Sequence, residues 1–363
     1  MKVRIDKSVF SDANDRNKQL ELSFLLHIIL YKKRYELKIS DEEIIHTESF
    51  GQLMQSERDY IEHVIEMDIV ASSSSYDCEV KTGGEAEWTQ KVFSAEEAIM
   101  YLLQPLSIIL ENGLNDSHFM NAVFRLFDST GVLTRYVEEG WIRYENAGGC
   151  MNVKNFLKAR IKQFADKQKF LRCFVLLDGD RRYPTDGKAD EKYKNLKGQM
   201  DAWQVGYHIL EKRCMENYMP DEAVQAVAGA EFTDWVKAYK MLTPKQKDYL
   251  SIADGFETDI TKKEKNIVRN KEKLLKSKDK KIRKKSYVRG YLPLEVQQFY
   301  VTVSQGNFLH LEKGLKIGNF KVKFPEMFGD PVFTYKANLL ERTSHQNDPQ
   351  ELLHIAQAIA TVV

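Results

Sequence analysis

Short apolar runs fill the middle of this chain and alternate with segments whose apolar residues recur at helical spacing. Leu106-Ser-Ile-Ile-Leu110 reads as a buried parallel strand, and Phe119, Met120, Val123, Phe124 and Phe127 then mark one face of a helix. A second run, Trp141 to Tyr144, leads into Asn146-Ala-Gly-Gly149 and another helical stripe, Val153, Phe156, Leu157, Ile161 and Phe164. Cys173-Phe-Val-Leu-Leu177 reads as a third strand and Tyr207-His-Ile-Leu210 as a fourth. This βαβ alternation predicts an α/β domain over residues 105–235, a parallel sheet flanked by helices, with function at the carboxyl ends of its strands.

The flanks read differently. Residues 1–104 mix helical and strand patterns, punctuated by turns at Ala71 to Ser75 and Gly83-Gly84. They lack the residue pairing that catalysis needs and are read as a recognition or assembly domain. Residues 236–363 are read as a helical region that ends in a helix-like Leu352 to Ala360 and carries a basic segment. Between Lys262 and Lys285 thirteen Lys or Arg face three acids, a local net of +10. Lys280, Lys281, Arg283, Lys284 and Lys285 are the candidates there for contact with a nucleic-acid backbone, the alternative being a solvated helix or linker.

Composition adds bounds. Hydrophobic residues are 43% of the chain, enough apolar surface for a folded core. The net charge is +1, so the remainder of the chain carries −9 and a uniformly basic coat is excluded. Cys78, Cys150, Cys173 and Cys214 lie far apart without a C-x-x-C pair, which fits free thiols in a reducing compartment. No apolar signal core opens the chain, and the strongest apolar run, Leu22 to Tyr31, is about half of the ~20 residues a membrane span needs. A soluble cytoplasmic protein with no membrane contact is expected.

Two acidic clusters sit immediately after predicted strands: Glu111 after Leu106–Leu110, and Asp178-Gly-Asp180 after Cys173–Leu177. In a parallel sheet such residues converge on one rim, where hard carboxylate oxygens suit one or two Mg²⁺ or Mn²⁺ ions. Each piece alone is weak: a D-G-D triplet is more often a turn, because Asp and Gly suit turns, and Glu111-Asn-Gly reads as a strand-to-helix turn with Asp116 near the helix cap. Arg181, Arg182 and Arg213 are candidates for clamping phosphate oxygens or, as the bland alternative, for balancing local acids. Lys188 and Lys192 read as solvated loop charges, His118 and His208 as packed side chains, and Cys214 as buried in a strand or at its end.

The order of these pieces resembles the TOPRIM fold, a Rossmann-like parallel sheet, and in particular the OLD (overcoming lysogenization defect) family and related TOPRIM nucleases of bacterial anti-phage defence. The segments that carry the likeness are Leu106 to Asp116, Asn146 to Gly149, Phe174 to Asp180 and Leu210 to Tyr218, about a third of the chain. The resemblance implies a Mg²⁺-dependent nuclease in which Glu111, Asp178 and Asp180 are catalytic and bind metal, and Glu216 adds a carboxylate for a two-metal site. It leaves the family's second acid open between Asn115, at the usual spacing of four from Glu111, and Asp116, at five. Enzymes of this type join the core to an ABC-like ATPase, yet no G-x-x-x-x-G-K-[ST] stretch occurs here, so an ATPase or sensor subunit is expected in trans. Nucleic acid is the expected substrate, and a homodimer is compatible with the sequence. The competing readings are a non-catalytic interaction protein and a haloacid dehalogenase-type phosphatase, which normally places D-x-D on its first strand.

Overall fold

A computed structural model describes the 363-residue chain except residues 12, 31–33, 40, 72–74, 85–90, 165–166, 257–291 and 316–319. The basic segment 262–285, with Lys280, Lys281, Arg283, Lys284 and Lys285, lies outside the described residues. The described chain is α/β, with two four-stranded parallel sheets flanked by helices.

The first sheet comprises β1 (Lys2–Ile5), β2 (Glu36–Lys38), β3 (Cys78–Val80) and β4 (Val92–Phe93), in the order β2-β1-β3-β4. The second comprises β5 (Leu106–Leu110), β6 (Ile142–Asn146), β7 (Cys173–Leu177) and β8 (Gly206–Ile209), in the order β6-β5-β7-β8. Ile108 is the register point at the centre, opposite Tyr144 on one side and Phe174 on the other. The expected strands at Trp141–Tyr144 and Tyr207–Leu210 are each shifted, by one residue or two, to Ile142–Asn146 and Gly206–Ile209.

Why the middle strands read as unbroken apolar runs follows from their burial on both faces. Side chains alternate between faces. Leu106, Ile108, Leu110, Phe174 and Leu176 enter one core with Phe119, Met120, Val123 and Phe127 of helix Gly113–Phe127. Ile109, Val175 and Leu177 enter the opposite core with Val153, Leu157 and Ile161 of helix Cys150–Gln163 and Tyr193 of helix Gly187–Ala202. The first of these cores continues into the C-terminal helices: Trp235, Phe308, Phe324, Leu339, Ile355 and Ile359 all belong to it. The described residues beyond 236 therefore cover one face of the second sheet and share its core.

The first sheet has its own core, and polar ties join it to the second. Lys169 donates to Glu97 at 2.6 Å, and Arg172, just before β7, donates to Tyr35 Oη at 2.6 Å and to Leu102 O at 3.1 Å. Among the described residues, no helix is long and apolar enough to cross a membrane.

Candidate metal centre

The order β6-β5-β7-β8 creates a switch point between β5 and β7, since the chain leaves β5 towards β6 on one side and leaves β7 towards β8 on the other. A crevice opens outside the carboxyl ends of two such strands. Glu111 is the first residue past β5, and Asp178 the first past β7.

Backbone N–H groups fix both carboxylates. Glu111 accepts from Cys150 N at 3.2 Å, at the start of helix Cys150–Gln163, and from Asp178 N at 3.4 Å. Asp178 accepts from Met215 N at 3.2 Å. The glycine between the two aspartates is required by close approach: a Cβ on Gly179 would lie 2.2 Å from Lys212 O and 2.4 Å from Leu210 O. Asp180 then adopts φ +53°, a left-handed conformation that Asp tolerates better than most residues, with its N–H on Arg213 O at 2.8 Å. Its carboxylate is held by Tyr193 Oη at 2.6 Å and by the Lys192 ammonium.

Helix Gly113–Phe127 brings in a further acid. Asn112 caps it, and Asp116 returns a hydrogen bond by accepting from Asn112 N at 2.8 Å. Asp116 and Asn115 both line the same open cavity of about 250 Å³ as Glu111, Asp178 and Glu216, with Phe119, Met215, Pro325 and Phe328 as an apolar wall. The open choice between Asn115 and Asp116 thus becomes a choice between two neighbours on one wall. Asp116 is both a helix-start acceptor and a cavity acid.

Glu216 sits on a 3₁₀ turn, Met215–Tyr218, that is anchored from behind. Asn217 donates to Lys247 O at 2.7 Å and Leu250 O at 2.8 Å, and Arg342 donates to Asn217 O at 2.6 Å. The fully buried Lys212 pairs with Asp248; burial and the neighbouring Arg342 lower its pKa to about 7 despite that partner. Glu351, at the start of the last helix, accepts from Glu211 N at 2.8 Å, contacts His208 Nε2 at 2.7 Å and accepts from the Tyr218 hydroxyl. The C-terminal helices thus hold the segment that carries Glu216.

Crowded acids withdrawn from water retain protons. Burial raises the Asp178 carboxyl well above its usual range, and Glu216, Glu111, Asp116 and Asp180 raise it further. Burial likewise raises Glu111, with Asp180 adding to it. Asp116 is pushed up to about 7 by burial, with Glu216 and Glu111 as lesser contributors. A cation is the natural relief of this repulsion, and the cavity's all-oxygen donor set fits Mg²⁺ or Mn²⁺. Glu111, Asp116, Asp178 and Glu216 would supply it, with Asp180 beside Glu111.

The arginines stand apart from the cavity lining. Arg181 pairs with Asp190 at 2.8 Å, Arg182 grips the buried Asp186 at 2.7 Å, and Arg213 donates to Tyr249 O at 3.3 Å. Two sequence readings need correction. Lys188 and Lys192 are both on helix Gly187–Ala202 rather than in a loop, and the Lys192 ammonium is committed to Asp180. Burial opposes its charge, but Asp180 and Cys150 prevail and raise its pKa. Cys214 is neither in β8 nor at its end but precedes the 3₁₀ turn, only partly buried. Lys192 and Cys150 were missed: nothing in the spacing ties Lys192 to Asp180, whereas the Gly-Gly before Cys150 marks a helix start beside the rim.

No family model, no curated protein and no solved structure matches this chain.

Proposed function

We propose that the chain is a metal-dependent nuclease with a TOPRIM-like core, hydrolysing phosphodiester bonds of DNA or RNA. One observation carries the reading: four carboxylates from three separate segments gather on one cavity at the switch point, where they repel one another and backbone N–H groups hold Glu111, Asp116 and Asp178. A turn-capping role alone explains Asp116 but not Glu111, Asp178 and Glu216 in the same cavity. Glu111 and Asp178 would hold a metal ion at the ends of the two central strands, and Glu216 lines the same cavity from the 3₁₀ turn. When bound, Mg²⁺ or Mn²⁺ would activate water and neutralise charge on the phosphoryl group.

The reading extends to nucleic acid as partner and to a role as effector of an anti-phage defence system working with an ATPase or sensor subunit. Its test is incubation of the purified protein and Mg²⁺ with plasmid, single-stranded DNA and tRNA. Cleavage that stops in EDTA and in Glu111→Gln is expected. Cleavage that persists in excess EDTA, or normal cleavage by Glu111→Gln, overturns the reading.

A further inference from the structure

On the other side of Glu111 the donors change character. Carboxylate oxygens of Glu111 and Asp180 and the Cys150 sulfur all lie within 4.8 Å of one another. Cys150 is the first residue of a 14-residue helix, buried, and its N–H is fixed on the Glu111 carboxylate. A positive group already occupies this place. The Lys192 ammonium bonds Asp180 and lies against the Cys150 thiol, so cation and donor set are matched there without any ion.

We infer that Glu111, Cys150 and Asp180 form a second cation site, selective for a thiophilic divalent ion of the Zn²⁺ or Co²⁺ class. A tetrahedral ion with M–S of about 2.3 Å and M–O of about 2.1 Å holds its ligands roughly 3.4–3.6 Å apart, so a set within 4.8 Å need contract by no more than about 1.4 Å. Side-chain rotation supplies that contraction, with solvent or substrate as fourth ligand. Thiolate is a poor ligand for Mg²⁺ and a good one for Zn²⁺ or Co²⁺, so sulfur in the set separates this site chemically from the all-carboxylate cavity. Binding requires loss of the thiol proton to solvent and release of Asp180 by Lys192. The inference shares Glu111 with the proposed nuclease centre but needs no cleavage to be true.

Titration of the full chain with Co²⁺, followed by its sulfur-to-metal charge-transfer absorption, tests this directly. The band is expected in wild type and in Cys214→Ser and absent in Cys150→Ser, with Zn²⁺ affinity of the latter falling roughly tenfold or more. Mn²⁺ stabilisation measured by melting should survive in Cys150→Ser, which also reports that the variant folds. Lys192→Met gives a second arm: removal of the competing ammonium should bring the band in at lower Co²⁺. No band in wild type, a band unchanged in Cys150→Ser, or an unaltered titration in Lys192→Met overturns the site. Because the readout is spectroscopic, a protein that shows the band but cuts no nucleic acid loses only the nuclease reading. One that cuts with Mg²⁺ but shows no band loses only this site.

Discussion

The two sheets share one plan and differ at one place. Both are four parallel strands in the order second, first, third, fourth, so each has a switch point between its first and third strands. In the first sheet that point is sealed. Asp6, just past β1, donates its N–H to Val80 O at 2.8 Å and accepts from Ser8 N at 2.9 Å. Thr82, past β3, bonds Ser8 twice, with its hydroxyl donating to Ser8 O at 2.6 Å and its N–H to Ser8 Oγ at 3.1 Å. Burial works against the Asp6 charge, yet the Ser8 hydrogen bonds prevail and lower its pKa. In the second sheet the equivalent loops are joined by the Asp178 N–H on the Glu111 carboxylate at 3.4 Å but border a cavity, and Glu111 and Asp178 have their pKa values raised. One rim is satisfied from within, and the other crowds partly buried carboxylates around a cavity. A shared topology therefore does not make a site; polar satisfaction of the crevice decides.

The sharpest way to break this comparison is to remove charge at the open rim. Glu111→Gln and Asp178→Asn keep shape, so each should lower Mg²⁺-dependent cleavage by ~10³-fold or more, if metal placement supplies several kcal/mol to the transition state. Without metal both variants should melt no lower than wild type, because each relieves repulsion among buried acids. Cleavage rates beside melting curves with and without Mn²⁺ check both halves. Full activity in either variant would make the open rim as inert as the closed one.

The next effect is on folding. Gly179 and Thr82 are both the second residue past a third strand, but only the former is pressed against backbone carbonyls that cannot swing aside. Gly179→Ala should cost about 3 kcal/mol or more by urea denaturation. A loss below about 1 kcal/mol would show that the D-G-D turn yields easily, and the contrast with Thr82 would lapse.

Much of the second sheet was legible because its central strands are buried on both faces. That condition produces the unbroken runs Leu106–Leu110 and Cys173–Leu177, and the acids follow them directly. Glu216 was legible as a candidate but not as a 3₁₀ residue, since its place depends on Asn217, Arg342 and Lys247 contacts made over 30 to 125 residues of chain. Lys192 was misread for a related reason: only tertiary packing brings its helix against Asp180. The first sheet was barely legible, because strands of two to four residues leave too little pattern to separate from a turn. That Asp6 is a cap could not be told from its neighbours in sequence.

Proton linkage gives a subtler contrast. Asp116 has a folded pKa of about 7 against an ordinary 3.8, so its contribution to stability is fully present below pH 3.8 and is lost as pH rises towards 7. The metal-free protein should therefore lose melting temperature from this group across that window. Mn²⁺ should restore it most at the upper end, since metal binds the deprotonated carboxylate. Asp116→Asn should flatten the pH dependence. An Asp116→Asn protein with the wild-type profile would assign the slope elsewhere, to Asp178 or Glu111.

The smallest effect belongs to the sealed rim, and it is where the comparison is most exposed. Asp6 accepts from Ser8 N as the cap of a short 3₁₀ turn, Lys7–Phe10, and its lowered pKa places its contribution above the ordinary carboxylate range, lost only on acidification. Asp6→Ala should cost about 1 kcal/mol at neutral pH, the usual worth of a side-chain cap. It should leave both cleavage and the response to Mn²⁺ unaltered, because the Asp6 carboxylate bonds Ser8 within its own loop and takes no part in the cavity between β5 and β7. The loss should shrink on titration into acid, as the cap is protonated. Urea denaturation at neutral and acidic pH, alongside one cleavage assay, suffices. If Asp6→Ala removed Mn²⁺ stabilisation as Glu111→Gln is expected to, the first sheet would hold metal too, and its closed loops would have to open to admit it.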